Sequence, residues 1–454
     1  MTAGEASRGG LRRGERAGGA RRRGMLLGLA GVAAAGGAVV LAACGGAPES
    51  GGTAPAASAP AGEVTVVYAT FTEPALTRMT RQEADVTRVL PAVKLSMIPT
   101  NDPVAKLTTM SAGGTPPDVV WAGIEVAQHA AAGLIVALDE LIAKDRSFSA
   151  KDFFPQALEA YQYKGKTWGI PYGLTTHVIA YNKALLDKNG LKPPTKEWTI
   201  ADLVGNAKRM ASPPGSDPQT QVWGAWITHL YTAIWMHGGQ VYDKGFTRSL
   251  MDQPNAVNGL QFYYDQGFGA QKFAPTSNLS HRAGLNPTFG DGRLGMSSMP
   301  PATIPVLRER YPSLEWDVMT VPWNANKTRG TWLSGEAFSL VNGAKNRDGA
   351  WAVLKQLTGK DAQTSFYVPE VASVPSIRSV AEGPFVNAVP GKNARAFVDA
   401  IEHATLWGGH PVILKTDVPV MEAWTEVREG RKSVRDGSAE ATQKLNELLR
   451  SAGA

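Results

Sequence analysis

The sequence predicts an α/β protein built in two lobes, and three observations lead there. Short apolar runs rich in β-branched residues alternate with helical runs along the chain, the pattern of a mostly parallel sheet covered on both faces. The part able to fold starts near residue 63 and runs for nearly 400 residues, more than a single hydrophobic core usually organises. The chain has one cysteine, Cys44, so no intramolecular disulfide can help and packing alone must hold the fold.

The elements follow in order. "EVTVVYAT" (63–70) alternates and reads as a strand, and a helical stretch follows to about Val89. "VKLSMIPT" (93–100) is a second strand. A short helix and a Gly/Pro turn lead to a buried strand at 118–121, and "EVAQHAAAGLIVALDELIAKD" (125–145) reads as helical. A Lys-Gly turn, "TWGIPYG" and the apolar strand "HVIAYN" (177–182) come next, then a helix ending at Gly190. A Pro-rich loop opens another helix, and 222–268 reads as helical and unusually aromatic. "GRLGMSSMPP", "WDVMTVPW" and "EAFSLVNG" read as strands. "RDGAWAVLKQLTG" is an amphipathic helix, and two more helices close the chain.

The N-terminus has a different character. Residues 1–23 carry seven arginines and two glutamates, and 24–43 carry no charge. This is the layout of an export signal. A 20-residue apolar run could also span a bilayer, but the small residues around "LAAC" and the glycines after it favour removal. "LAAC" resembles the bacterial lipobox, which implies lipidation of Cys44, and "RRRGMLL" resembles a twin-arginine signal with Met25 in the aromatic place. Residues 1–43 are therefore expected to be a signal peptide. The Gly/Ala/Pro/Ser segment 44–62 is expected to be a flexible tether with a reach on the order of 25 Å. The leader holds most of the net charge of +6; the remainder has 39 basic and 38 acidic residues. A near-neutral mature domain gives no argument for nucleic acid as a partner.

Several segments together resemble the extracellular solute-binding proteins of ABC importers, in the cluster that carries sugars and polyols. They are "AGLIVALDELI", "YKGKTWGIPYG" followed by "VIAYNKALLDKNGLKPP", "FGDGRLGM", and "GEAFSLVNGAKNRDGAWAVLKQLTG". Their order and spacing carry the resemblance, which covers the chain from 63 to about 449. It implies a two-lobed periplasmic-binding-protein-like fold, hinge-linked, with the ligand in the cleft between the lobes. The expected lobes are 63–173 plus 287–328 and 174–286 plus 329–454. It further implies a monomeric, lipid-anchored receptor on the outer face of the cell membrane. Such a receptor passes a carbohydrate to ABC permease subunits, without catalysis and without a cofactor or metal. Glycerol phosphate or another solute is the alternative cargo, and a secreted glycoside hydrolase is the alternative class.

A sugar offers apolar C–H faces to flat aromatic rings and a rim of hydroxyls to polar groups. The candidates come from strand ends and lobe crossings, although any one aromatic residue can also be packing. Phe71 and Glu73 follow the first strand. Trp121 ends the strand at 118–121, at the sheet edge where α/β proteins bind ligands, and Glu125 comes just after. Tyr172 and Thr175 lie at the first crossing, and Trp332, Ser334 and Glu336 at another. Trp226 and Trp235 are nine residues apart, on opposite faces if one helix carries both. Trp235, nearer a Gly-Gly loop, is the preferred one. Trp407 is a lesser candidate, and Arg378 is where a phosphate would be met.

Other chemistries find little support. "GDGRLG" (290–295) matches G-x-G-x-x-G, but it precedes a strand instead of following one, so a dinucleotide site is not expected. The seven histidines lack metal-ligand spacing, and no G-x-S-x-G elbow occurs.

Overall fold

A computed structural model describes residues 60–452, apart from 72, 214, 218, 270 and 277–286. The expectations on the leader, on Cys44 and on most of the tether lie outside the described residues.

The chain runs through β1 (Gly62–Ala69), β2 (Val93–Thr100), β3 (Val119–Ala122), β4 (Gln162–Tyr163), β5 (Lys166–Thr167), β6 (Ile170–Thr176) and β7 (Val178–Asn182). It continues through β8 (Trp223–Trp226), β9 (Leu294–Met299), β10 (Trp316–Met319), β11 (Thr331–Leu340), β12 (Val374–Pro375) and β13 (Ala404–Leu406). The larger sheet has the order β12-β6-β11-β3-β1-β2, with β13 also paired to β11. The smaller sheet has the order β10-β7-β9-β8, and β4 and β5 form a separate hairpin.

β1 pairs in parallel with both β2 and β3. Val64, Val66, Val67 and Tyr68 are all buried, as expected of a parallel strand covered on both faces. The buried carboxylate of Asp118 ties three segments at its end. It accepts from Thr65 N–H of β1 at 2.8 Å and from the N–H groups of Lys345 and Asn346 at 2.9 and 3.2 Å. The turn after β11 is thereby fixed to the sheet.

The lobes are interleaved differently from the expectation. Residues 287–328, assigned to the first lobe, supply β9 and β10, and both pair with β7 in the smaller sheet. Residues 329–454, assigned to the second lobe, supply β11 and β12, which pair with β6 in the larger one. The helix Arg347–Thr358 also packs there, through Trp351, Val353 and Leu354. The cause is that β11 runs back across the boundary as a long strand, which local patterning cannot reveal.

Two helix readings also change. The stretch 125–145 is two short helices, Val126–Ala131 and Asp139–Lys144, with Ile135 between them bridged to Val341. Trp223–Trp226 is a strand, so Trp226 and Trp235 do not share a helix. Gly224 explains this. Its N–H donates to Phe273 C=O at 2.8 Å, and a Cβ placed on it would fall 1.9 Å from Ala207 C=O. Only glycine lets β8 lie this close to the helix Ile200–Met210.

The sheets meet where the chain crosses between them. Only His177 separates β6 from β7. Thr331, at the start of β11, donates its hydroxyl to His177 C=O at 2.8 Å. Thr176 donates to Phe397 C=O, also at 2.8 Å. β13 pairs in parallel with the first residues of β11.

Gly224→Ala is expected to cost at least the upper part of the usual overpacking range, about 1–3 kcal/mol, because the clash is with backbone. Denaturant unfolding of the variant measures it; a change below about 0.5 kcal/mol would mean that β8 does not sit this close.

Candidate functional site

A cleft of about 1070 Å³ opens beside the crossing. The helix Pro155–Glu159 and the β4–β5 hairpin contribute Gln156, Glu159, Tyr163 and Lys164. The loop 240–246 contributes Gln240, Tyr242, Asp243, Lys244 and Phe246. Leu333 of β11, β13 and the segment 407–411 supply another side, and Trp235 joins them. Two sequence-distant parts of the larger-sheet half and the smaller-sheet half thus share one opening.

The aromatic residues form a connected wall. Trp407 stacks on Tyr231 at 4.2 Å between ring centres and lies 5.3 Å from Trp332. Trp332 meets Trp235 edge-on at 5.7 Å. Tyr242 is 6.4 Å from Trp407 and 4.9 Å from His410. Apart from the tighter Trp407–Tyr231 stack, these separations fall in the favourable range for offset or edge contacts. Gly408 and Gly409 have φ of 136° and 89°, the region that favours glycine. They turn the chain so that Trp407 and His410, three residues apart, both reach the cleft.

Of the sequence candidates, Trp235 and Trp407 line this cleft. Trp332 stands behind it. Its indole N–H donates to Ser334 Oγ at 2.8 Å, and Ser334 pairs with Thr175 across β11 and β6. Phe71, Trp121, Glu125, Tyr172 and Glu336 gather around β3, β6 and β11 within the larger sheet. Trp121 donates from Nε1 to Tyr172 OH at 3.1 Å, and both residues are buried. Phe71, 58% exposed, meets Trp121 edge-on at 5.4 Å. Glu336 accepts from Tyr367 OH at 3.2 Å and Ser373 Oγ at 3.1 Å, and lies 3.8 Å from Arg78, which also pairs with Glu370. Glu125 is buried and accepts from Gly123 N–H at 3.1 Å. Burial pushes its carboxyl up, against the pull of that N–H. Glu73 opens the helix Glu73–Val89. The two groups adjoin: a Cβ on Gly408 would lie 3.4 Å from Ile124.

Sequence reasoning missed Tyr163, Tyr242, Phe246 and His410. "TLWGGHP" carried a signal in its paired glycines between two ring-bearing residues, but nothing local shows that the loop 240–246 meets it. Arg378 stands apart, over the Phe154 ring at 4.8 Å and 3.6 Å from Glu382. Among the described residues the lining holds Glu159, Asp243, Lys164 and Lys244 but no arginine, and no three His, Cys, Asp or Glu side chains converge as a metal site.

Comparison with known proteins gives this architecture its class. A family model described as bacterial extracellular solute-binding protein matches residues 87–394, and the chain belongs to that family. The maltotriose-binding protein of Pyrococcus abyssi is 24% identical over 316 residues, covering 66% of this chain and 64% of that protein. The diacetylchitobiose-binding protein DasA of Streptomyces coelicolor is 24% identical over 345 residues, 72% and 76% of the two chains. Among solved structures, an ABC substrate-binding protein of Listeria monocytogenes in complex with cycloalternan superposes with a TM-score of 0.73 at 20% identity, over 86% of this chain and 99% of that one. The GacH receptor of Streptomyces glaucescens gives 0.70 at 22% identity, with the same coverage. The fold is therefore the two-lobed α/β fold of these binding proteins.

Trp121→Ala is expected to act on stability first. It removes a buried ring and the donor to Tyr172, at a cost of about 3–5 kcal/mol, read by denaturant unfolding; loss of less than about 1 kcal/mol would mark Trp121 as a free surface ring. A second expectation concerns pH. Burial holds His129, His177 and His410 down to about 4, below the unfolded value of about 6.5. The unfolded chain then binds more protons between those values, so stability is full above about 6.5 and falls as pH drops toward 4. A melting temperature flat from pH 7 to 4.5 would contradict this.

Proposed function

We propose that the protein is a receptor that captures an oligosaccharide in its cleft and delivers it to an ABC permease. The observation that carries the reading is the aromatic wall of Trp235, Tyr242 and Trp407 set among amide, carboxylate, ammonium and imidazole groups in one cleft between the lobes. Aromatic rings match the C–H faces of sugars, and polar groups match their hydroxyls. A volume of about 1070 Å³ stands at the upper end of ligand clefts, roughly 300–1,000 Å³, and suits several linked rings better than one. The names of the relatives, which bind maltotriose and diacetylchitobiose, agree with this. The mixed charge and lack of arginine in the described lining favour an uncharged sugar over a phosphorylated one.

Trp235 would contact the sugar, with Trp332, Ser334 and Thr175 setting its position. Phe71, Trp121, Tyr172, Glu125 and Glu336, with Glu73 nearby, would form the adjoining face of the larger-sheet lobe, Phe71 being its exposed ring. A ligand touching both lobes would favour their closure. The receptor would work as a monomer, bind without turnover, and be held at the outer membrane face by lipid on Cys44.

The test is thermal stability of the purified protein against maltotriose, diacetylchitobiose, mannobiose and glycerol 3-phosphate. A bound sugar raises the melting temperature in step with RT ln(1 + [L]/Kd) and is recovered unchanged. A shift with glycerol 3-phosphate alone, or cleavage of a sugar, would overturn the reading. Trp407→Ala should weaken sugar binding by about 10-fold or more, the scale of one lost aromatic platform. For the anchor, Cys44→Ser expressed as the full precursor should leave the membrane fraction or stay uncleaved; normal membrane retention and processing would exclude lipidation at Cys44.

A further inference from the structure

The loop from Asp243 to Arg248 is held in shape by one side chain of the cleft lining, that of Asp243. Its Oδ1 accepts from the N–H groups of Thr247 at 2.7 Å and Arg248 at 3.2 Å, and Oδ2 accepts from the Thr247 hydroxyl at 2.6 Å. The Asp243 backbone closes the same loop. Its N–H donates to Arg248 C=O and its C=O accepts from Phe246 N–H, both at 3.0 Å. Below the loop, Tyr242 bridges Ser249, and Leu250 N–H donates to Val241 C=O at 2.8 Å. This base is fastened to the helix Val434–Ser451, where Asn446 Oδ1 accepts from Ser249 N–H at 2.7 Å. The helix thus fixes the base, and Asp243 fixes the tip.

The tip needs such a hold. Phe246 has a φ of 54°, a conformation that costs energy for a residue with a Cβ and persists where surrounding contacts impose it. Tyr242 and Phe246, on either side of Asp243 and 6.0 Å apart, both meet the segment 407–411. Tyr242 lies 6.4 Å from Trp407 and 4.9 Å from His410, and Phe246 lies 5.4 Å from His410. Phe246 also sits over Gly409, where a Cβ would come within 2.8 Å of its ring. With a fit this close, the shape of the loop decides where the wall stands. Both carboxylate oxygens serve the loop's own donors, so Asp243 acts through the rings beside it.

We propose that Asp243 is a positioning residue for sugar binding: its carboxylate sets Tyr242 and Phe246 against Trp407 and His410, so that the aromatic wall stands ready before a ligand enters. This rests on the carbohydrate reading above. Rings already ordered in the free protein leave less conformational entropy to be lost on binding, which is how preorganisation raises affinity. Without the carboxylate, Phe246 can relax out of its left-handed conformation, and binding then has to restore it.

The experiment compares wild type, Asp243→Ala, Asp243→Asn and Thr247→Val by calorimetric titration with maltotriose, diacetylchitobiose and mannobiose, well below the melting temperature of each. Near-ultraviolet circular dichroism without sugar accompanies it. Asp243→Ala should lower affinity for the sugar that wild type binds best by about 10-fold or more, the cost of ordering two ring side chains, and should change the aromatic dichroism. Asp243→Asn keeps an oxygen for the two N–H bonds and should stay within about 3-fold of wild type. Thr247→Val loses only the hydroxyl bond and should bind about 3-fold more weakly. As a control, Asp217→Ala removes a similar bond, to Gln219 N–H at 2.9 Å, from a loop outside the cleft lining, and should leave affinity unchanged. Unchanged affinity in Asp243→Ala would overturn the proposal while leaving the carbohydrate reading standing. So would a loss in Asp243→Asn equal to that in Asp243→Ala, which would mean that charge or direct contact is at work, or an equal loss in Asp217→Ala. No response of wild type to any of the sugars would overturn both. If Asp243→Ala does not fold, Thr247→Val decides: weaker binding with altered aromatic dichroism supports the role, and wild-type affinity overturns it.

Discussion

The structure depends on the hydrogen bonds that gather where the chain crosses between the sheets at His177. His177 is the single residue between β6 of the larger sheet and β7 of the smaller one. Its carbonyl accepts from Thr331, the neighbouring Thr176 donates to Phe397, and β13 aligns with the start of β11. Three separate passages of the chain are thus registered at one place. The cleft lies beside it because β11 and β13, which meet there, also carry Leu333 and the approach to Trp407 into the cleft wall. A short, multiply bonded link lets two packed bodies turn about a defined place while each keeps its own core.

Much of this was legible in the sequence, and the reasons differ by element. β1, β2, β3 and β7 were found where periodicity and β-branching place them: burial on both faces leaves β3 and β7 as unbroken apolar runs, whereas the half-exposed β2 alternates. The strand β8 was read as helix because "WGAW" has no alternation, and the deciding fact is the approach of Ala207 to Gly224. The lobe boundaries failed for a related reason. Pairing of β11 with β3 and β6 is a contact at long sequence distance, and no local pattern encodes a partner.

The site was legible in kind more than in detail. Of the residues expected from the sequence, Trp235 and Trp407 line the cleft, and Trp332 packs edge-on against Trp235. Trp121 and Tyr172 proved to satisfy each other, which is what packing asks of buried polar rings. Tyr242 and His410 could not be seen in advance because their value lies in meeting: each comes from a separate loop, and each is unremarked alone. Their proximity is a property of the packed half that holds both, not of either segment.

The order of strands also bears on how the chain comes to be folded. The smaller sheet draws all its strands from one continuous stretch, β7 to β10. The larger sheet cannot close until β11 arrives, since Ala337 pairs with Ala122 from more than 200 residues earlier. During synthesis, β3 and β6 therefore wait with open hydrogen-bonding edges while the intervening lobe is made. Loop closure over that distance is slow to be repaid, and unpaired edges invite association with other chains. The interleaving of the two sheets makes the waiting half of the molecule its vulnerable stage.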